Sequence, residues 1–187
     1  MDITLYADKT TISLKQISSK QDLAEDKEYR GYLINSDEKQ IRIITETLKA
    51  RNQKKLIFVQ AKDDEFNRRI IETCKINFLV SPELNQGKDT LKQRDSGLNH
   101  VSAKFSAKKN ISIVINFSEL ETLDKKIRAK AISRIMQNIK ICRKAKCKIK
   151  IASFAQTKEN LTSENQLKTF LFSLGASSQQ VFDSCDF

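Results

Sequence analysis

A chain of 187 residues with 39% hydrophobic and 30% charged side chains can bury one independently stable core and is read as a single domain over 1–187. No apolar run approaches the ~20 residues of a membrane span, and no basic, apolar, small-residue signal precedes the first expected strand. The balance of 34 Lys and Arg against 23 Asp and Glu, a net charge of +11, favours a polyanionic partner, nucleic acid ahead of a membrane surface.

In chain order, residues 2–6 alternate and read as a first strand. Residues 10–23 carry Ile12, Leu14, Ile17 and Leu23 at a spacing that suggests a weak helix, and residues 21–28 are polar and read as loop. Residues 29–35 form a short strand, with Asn35-Ser36 as a cap for a helix over 38–51 that carries Ile41, Ile44, Thr45 and Leu48 at helical spacing. Residues 55–61 are a near-continuous apolar run, as expected of a strand covered on both faces. Asp63 or Asp64 then caps a helix with Phe66, Ile70 and Ile71 inward, and residues 76–80 give another strand.

A loop with Pro82, Asn85 and Gly87 leads to Arg94-Asp95-Ser96-Gly97-Leu98-Asn99-His100. Asp95 or Ser96 is expected to cap the next helix, since either side chain can accept from amides without helical partners. Leu98, Val101, Ser102 and Phe105 share one stripe, with His100 and Lys104 on the other side. Gly97 is unfavourable in a first helical turn unless something approaches its backbone closely. Read locally, the stretch is a capped core helix with a charged outer face. Read chemically, amides at a helix start, the Arg94 guanidinium and His100 make a phosphate-contacting corner.

Residues 111–117 form the clearest strand. Ser118, followed three residues later by Glu121, makes a capping-box pattern that opens one helix to about Ala145. Its expected apolar face is Ile127, Ala131, Ile135, Ile139 and Cys142, widened by Ile132 and Met136. Lys126, Lys130, Lys140 and Lys144 lie opposite, with Arg134 at the margin. Residues 148–152 form a basic-flanked strand. Ser163 and Gln166 cap a helix with Leu167, Phe170, Leu171 and Leu174 inward, ended by Gly175, and Ser177 starts a last short helix. Strand–helix alternation at this rhythm implies an α/β fold with six or seven parallel strands and covering helices. A TIM-like barrel short of a full set and an open doubly wound sheet both satisfy it.

The positive charge is concentrated. Residues 125–158 hold 12 basic and no acidic side chains, leaving 22 basic against 23 acidic elsewhere. A solvated helix face usually mixes signs, so this segment reads as an RNA contact. Cys74, Cys142, Cys147 and Cys185 lack Cys-x-x-Cys spacing and are read as reduced thiols of a cytoplasmic protein. One histidine supplies neither a zinc ligand set nor a multi-histidine metallophosphoesterase centre. No nucleophile elbow or Walker loop occurs. Without Trp, and with most Phe in apolar patterns, stacking on single-stranded RNA has few platforms, which points to structured RNA read through its backbone.

The motif Arg94-x-Ser96-Gly97-Leu98-Asn99-His100, followed by Val101 and Lys109-Asn110-Ile111-Ser112-Ile113, resembles the ribonuclease P protein component 3 family, over about Tyr29 to the C-terminus. The resemblance implies a TIM-barrel-like fold and a non-catalytic subunit of the ribonucleoprotein endonuclease that removes 5′ leaders from precursor tRNA. It implies RNase P RNA, precursor tRNA, a small RRM-like protein subunit and other RNase P subunits as partners, with magnesium required by the RNA. Arg94, Ser96, Gly97, Asn99 and His100 match the family motif and are carried over as RNA-binding candidates. Lys126, Lys130, Arg134, Lys140 and Lys144 are added on charge alone. Ser153-Phe154-Ala155 falls where the family has a Ser-Gly-Ala-like turn, with Phe154 in the glycine's place. The other reading is a barrel enzyme that binds a small phosphorylated substrate at the Arg94–His100 corner.

Overall fold

A computed structural model describes residues 2–23, 28–51, 54–85, 87–90 and 94–187 of the chain. Among them, seven strands lie side by side in chain order: β1 (Ile3–Thr4), β2 (Ile12–Ile17), β3 (Gly31–Ile34), β4 (Leu56–Gln60), β5 (Phe78–Val80), β6 (Ser112–Asn116) and β7 (Ile149–Ala152). Every neighbouring pair is parallel. The two edges also meet. Thr4 bridges Ala155, the Leu5 amide donates to the Ala155 carbonyl at 2.8 Å, and the Ser153 amide donates to the Asp2 carboxylate at 2.9 Å. The outcome is a nearly closed TIM-like barrel, which decides between the two architectures the alternation left open.

The weak helix expected over 10–23 is strand β2. Ile12 and Leu14 point into the barrel, and β2 is paired on both sides, to β1 and β3. A period-2 pattern with two waiting partners overrides a loose helical spacing. Of the polar loop expected over 21–28, residues 24–27 lie outside the described residues; residues 20–22 form a 3-10 turn.

The covering helices are α1 (Glu38–Ala50), α2 (Asp64–Thr73), α3 (His100–Lys108), α4 (Phe117–Thr122), α5 (Lys125–Ala145), α6 (Glu164–Ser173) and α7 (Ser178–Phe182). Asp37, rather than Asn35-Ser36, caps α1. Asp63, Ser163 and Ser177 cap α2, α6 and α7 as expected. The single helix expected from Ser118 is two. The Asn116 side chain caps α4, and the Asp124 carboxylate accepts from the Lys126 and Ile127 amides at 2.9 and 3.1 Å to start α5 afresh. A local carboxylate cap here outcompetes continuation of the preceding turn.

Two apolar cores result. Ile3, Ile12, Leu14, Leu33, Val80 and Val114 fill the barrel with Phe58, Phe78 and Phe154. Phe58 and Phe78 are stacked at 4.2 Å, and Phe154 meets Phe58 edge-on at 6.1 Å. Phe154 has φ 51°, the left-handed region that favours glycine, so the substitution noted in the sequence falls on a turn whose backbone suits glycine. Its ring is used to top the interior. The larger core lies between the sheet and the helices and includes Ile34, Ile44, Ile70, Ile113, Ile135, Ile139 and Leu171. At the lower end Lys150 donates to the carbonyls of Asp183 and Asp186 and lies over the Phe187 ring.

Strand alternation then sets what sits at the upper end. Leu14, Leu33, Phe58 and Val114 point inward, so two residues on, Gln16, Asn35, Gln60 and Asn116 continue the same interior face as its last layer.

Candidate functional site

The corner between β5 and α3 is held by α5. After Val80 the chain turns at Ser81, with φ 53°, makes a 3-10 turn over Pro82–Leu84 and continues along α5. The Arg134 guanidinium is 1% exposed and gathers this loop. Its Nη1 donates to the Glu83 and Asn85 carbonyls at 3.0 and 2.7 Å. Its Nη2 donates to the Gly87 carbonyl at 2.6 Å, and Nε and Nη2 reach one Asp89 carboxylate oxygen at 2.9 and 2.8 Å. Burial alone would raise the Asp89 carboxyl, but the Arg134 guanidinium and the Asp95 amide hold it below the usual carboxylate range. Lys130 donates to the Gly87 carbonyl at 2.9 Å. Asn138 donates to the Ser96 carbonyl at 3.1 Å, and Gln137 to the Arg94 carbonyl at 2.9 Å and the Ser96 hydroxyl at 3.0 Å.

Arg134, expected at the margin of the charged face and as an RNA contact, is therefore a buried clamp. The buried face of α5 is Ala131, Arg134, Ile135, Asn138, Ile139, Cys142 and Ala145. Ile127, 51% exposed, and Met136 fall outside it. The helix is rotated from its hydrophobic reading because the loop's carbonyls, once buried, need donors.

Motif residues divide into two groups. Gly97 has φ 67°, and a Cβ there would lie 2.2 Å from the Pro82 carbonyl oxygen. Its own carbonyl accepts from Asn67 of α2 at 2.9 Å. Asn99, not Asp95 or Ser96, caps α3: its side-chain oxygen accepts from the Val101 and Ser102 amides at 2.9 Å each, and its amide nitrogen donates to Asp64 at 2.9 Å. Ser96 and Leu98 are buried. The buried face of α3 is Ser102, Ala103 and Ser106, whereas Val101, 56% exposed, and Phe105 face outward. With the cap at Asn99, Leu98 lies before the helix, so the expected stripe through Leu98, Val101 and Phe105 does not form.

Arg94 and His100 form the second group, both exposed. Arg94 Nε donates to the Ser133 hydroxyl at 2.9 Å, which lays the side chain along α5. Arg94, Lys88, Ser96 and Asn99 share a recess of about 270 Å³ with the carboxylates of Asp64 and Asp95. His100 does not line it, and the Val101 and Ser102 amides are already taken by Asn99. The corner thus offers the Arg94 guanidinium and His100 on separate sides.

The basic segment is also sorted by the fold. Arg128 donates to the Glu121 and Leu123 carbonyls, Arg143 to the Gly175 carbonyl at 2.5 Å, and Lys130, Arg134 and Lys150 are committed as described. Lys126, Lys140 and Lys144 are exposed on α5. They are 18 residues apart end to end, about 27 Å along a helix, at nearly the same angular position.

A second polar site, outside the sequence expectations, is the upper mouth of the barrel. It is a cavity of about 920 Å³ lined by Gln16, Asn35, Gln60, Asn116, Gln156 and Asn160 above Leu5, Leu33 and Phe154. Asp22, Glu119 and Glu121 also line it, and no lysine or arginine does among the described residues. Glu119 accepts from the Ser81 hydroxyl at 3.0 Å, and burial pushes its carboxyl up despite that bond. Nearby Glu83 is fully buried with neither carboxyl oxygen hydrogen-bonded. Burial, opposed by Glu83's own backbone amide and by Arg134 and aided by the Glu119 charge, raises it to about 8. Among the described residues, no group of three or more His, Cys, Asp or Glu side chains is placed to hold a metal ion, and no helix is long and apolar enough to cross a membrane. The signal for the mouth was present in the sequence: a carboxamide that closes an inward-pointing alternation, at the strand ends where barrel sites are built.

The sequence profile of the family described as RNase P subunit p30 matches residues 14–186. Ribonuclease P protein component 3 of Methanococcus vannielii is 28% identical over 126 residues, 67% of this chain and 52% of that protein. Its counterpart in Methanocaldococcus jannaschii is 28% identical over 149 residues, 79% of this chain and 60% of that protein. The chain thus spans about half to three-fifths of the length of these curated relatives. In fold it resembles a chain of an archaeal ribonuclease P solved by cryo-EM with mature tRNA, with TM-score 0.68 and 18% identity over 91% of this chain and 77% of that one. An amidohydrolase crystal structure follows at TM-score 0.58 and 14% identity, over 84% of this chain and 40% of that one; both structural likenesses speak for the barrel architecture alone. With residues 14–186 of its 187 matched to the family profile, the chain belongs to the RNase P subunit p30 family.

Proposed function

We propose that this chain is a non-catalytic protein subunit of ribonuclease P, the ribonucleoprotein endonuclease that removes 5′ leaders from precursor tRNA. In this reading it binds and stabilises the catalytic RNA in the cytoplasm, together with a small RRM-like partner and other RNase P subunits, and any magnesium chemistry belongs to the RNA. The observation that carries it is the family match over nearly the whole chain. The line of exposed Lys126, Lys140 and Lys144 on α5 supports a backbone-reading RNA contact, with Arg94 and His100 as the outward members of the motif. Arg134, Ser96, Gly97 and Asn99 enter as residues that hold the loop in place, and Lys130 as part of the same clamp. For the other reading, a small phosphorylated substrate at the Arg94–His100 corner, the recess there sets the Arg94 and Lys88 cations against the carboxylates of Asp64 and Asp95.

The test is precursor-tRNA cleavage by the cognate RNase P RNA at limiting magnesium, reconstituted with the RRM-like partner, with and without this protein. Cleavage that needs or is strongly stimulated by the chain supports the reading; a chain that neither binds the RNA nor alters cleavage overturns it. Neutralising Lys126, Lys140 and Lys144 together to Gln is expected to flatten the salt dependence of RNA binding by about two to three phosphate contacts. An unchanged slope removes these lysines from the interface.

A further inference from the structure

We propose that the upper mouth of the barrel is a binding site for a nucleobase, taken either from a free nucleoside or from an unstacked RNA nucleotide. Some of the polar groups there are already used and others are free. Asp22 accepts from the Ser18 and Ser19 amides at 2.8 Å each, and Glu119 from the Ser81 hydroxyl. The Asn116 oxygen caps α4. Gln16, Asn35, Gln156 and Asn160, by contrast, have exposed carboxamides without a side-chain hydrogen bond among the described residues. The Ser118 hydroxyl lines the same cavity, is shielded from solvent and has no partner.

Apart from the Glu121 carboxylate the free groups are therefore neutral, and each carboxamide presents a donor beside an acceptor. That pairing matches the edge of a purine or pyrimidine, which a carboxamide can engage with two hydrogen bonds. Beneath them Leu5, Leu33 and Phe154 supply apolar surface for the face of a ring. The volume of about 920 Å³ lies within the range of small-ligand sites. A free phosphate is disfavoured in the interior by the carboxylates and by the lack of a lysine or arginine among the described lining residues. Lys20, Lys125 and Lys158 are exposed within three residues of lining positions, so the cations stand outside the cup, where the backbone of an inserted nucleotide would run. A polyamine is the weaker fit, because two of the three carboxylates are already engaged.

The experiment is saturation-transfer NMR on the full chain with adenosine, guanosine, cytidine and uridine. Ribose and spermidine serve as controls, and a single-stranded tetranucleotide forms a further arm. At least one nucleoside is expected to receive saturation, strongest at its base protons, and the double variant Asn35→Leu/Gln156→Leu is expected to cut that signal at least fivefold with an unchanged unfolding midpoint. If that variant fails to fold, Gln16→Leu carries the same test. Failure of every nucleoside, binding of ribose or spermidine in their place, or a signal indifferent to the variants overturns the proposal. The tetranucleotide arm rests on the RNA-subunit reading and the nucleoside arm does not. Nucleoside binding without tetranucleotide binding supports the base site and assigns its source to free nucleosides; binding of both that is lost in the variants supports it with RNA as the source.

Discussion

At the upper end of the barrel two polar regions lie close together and use their hydrogen bonds differently. Between β5 and α3, Arg134, Asn67 and Asn99 are matched to backbone groups or carboxylates of the protein itself, and Asn138 donates to the Ser96 carbonyl while its own oxygen is buried without a partner. In the mouth, the carboxamides of Gln16, Asn35, Gln156 and Asn160 are matched to nothing among the described residues. The first region contains the most distinctive wording in the sequence; the second contains none. A motif can be specific because it fixes a backbone path, and here Ser96, Gly97 and Asn99 do that, leaving Arg94 and His100 as its outward members.

The sharpest way to break this contrast is to remove the clamp. Arg134→Met strips the buried loop of its donors and leaves Asp89 without its ion pair. The expected loss is about 3–5 kcal/mol in denaturant unfolding, the range for breaking a buried charged pair. Arg134→Lys should recover little of it, because one ammonium cannot replace a planar fork that reaches three carbonyls and a carboxylate. A midpoint close to wild type would make the corner as loosely held as the mouth.

Glu83 gives the next effect, and its sign follows from its raised carboxyl. Below about pH 4.5 the group is protonated folded and unfolded, so it costs nothing. Between there and about 8 only the unfolded chain ionises, so stability falls as pH rises, and above about 8 the cost is complete. At pH 7 it is on the order of 3 kcal/mol. Glu83→Gln is expected to abolish that slope, giving a gain over wild type that grows from pH 5 to 8 in thermal unfolding. Parallel profiles for the two proteins would show that Glu83 is ionised in the fold.

Much of the barrel was legible from its sequence because alternation and apolar runs are local. Strands β3 to β7 and the caps Asp63, Ser163 and Ser177 follow from short-range pattern. What was not legible needed a partner from elsewhere. β2 is a strand because β1 and β3 flank it. Asn99 is the cap because Asp64, 35 residues earlier, orients it. Arg134 turns inward because the loop 45 to 51 residues before it brings carbonyls to α5. The mouth was missed for a different reason: each carboxamide is unremarkable alone, and only closure of the sheet collects them.

Gly97 tests the corner more gently. Gly97→Ala places a methyl group against the Pro82 carbonyl, at a φ that L-residues resist, for an expected loss of about 1–3 kcal/mol. Hydrogen exchange should show the Ser96 to Asn99 amides opening before the barrel strands do. Uniform loss across the protein would mean that the corner and barrel unfold as one unit.

Arg94→Ala separates folding from function most cleanly, and with the smallest change in stability. The side chain is exposed and, among the described residues, contributes one side-chain hydrogen bond, to Ser133, so the unfolding free energy should move by less than about 0.5 kcal/mol. The loop would stay in place, because Gln137 still holds the Arg94 carbonyl and Arg134 still holds Glu83, Asn85, Gly87 and Asp89. If the guanidinium meets a phosphate, RNA affinity falls at low salt and the salt slope drops by about one unit, with Arg94→Lys restoring most of the slope and less of the affinity. A large fall in the unfolding midpoint would place Arg94 with Ser96 and Asn99 as part of the scaffold. An unchanged midpoint with unchanged RNA binding would leave His100 as the one outward residue of the motif still to be tested for contact.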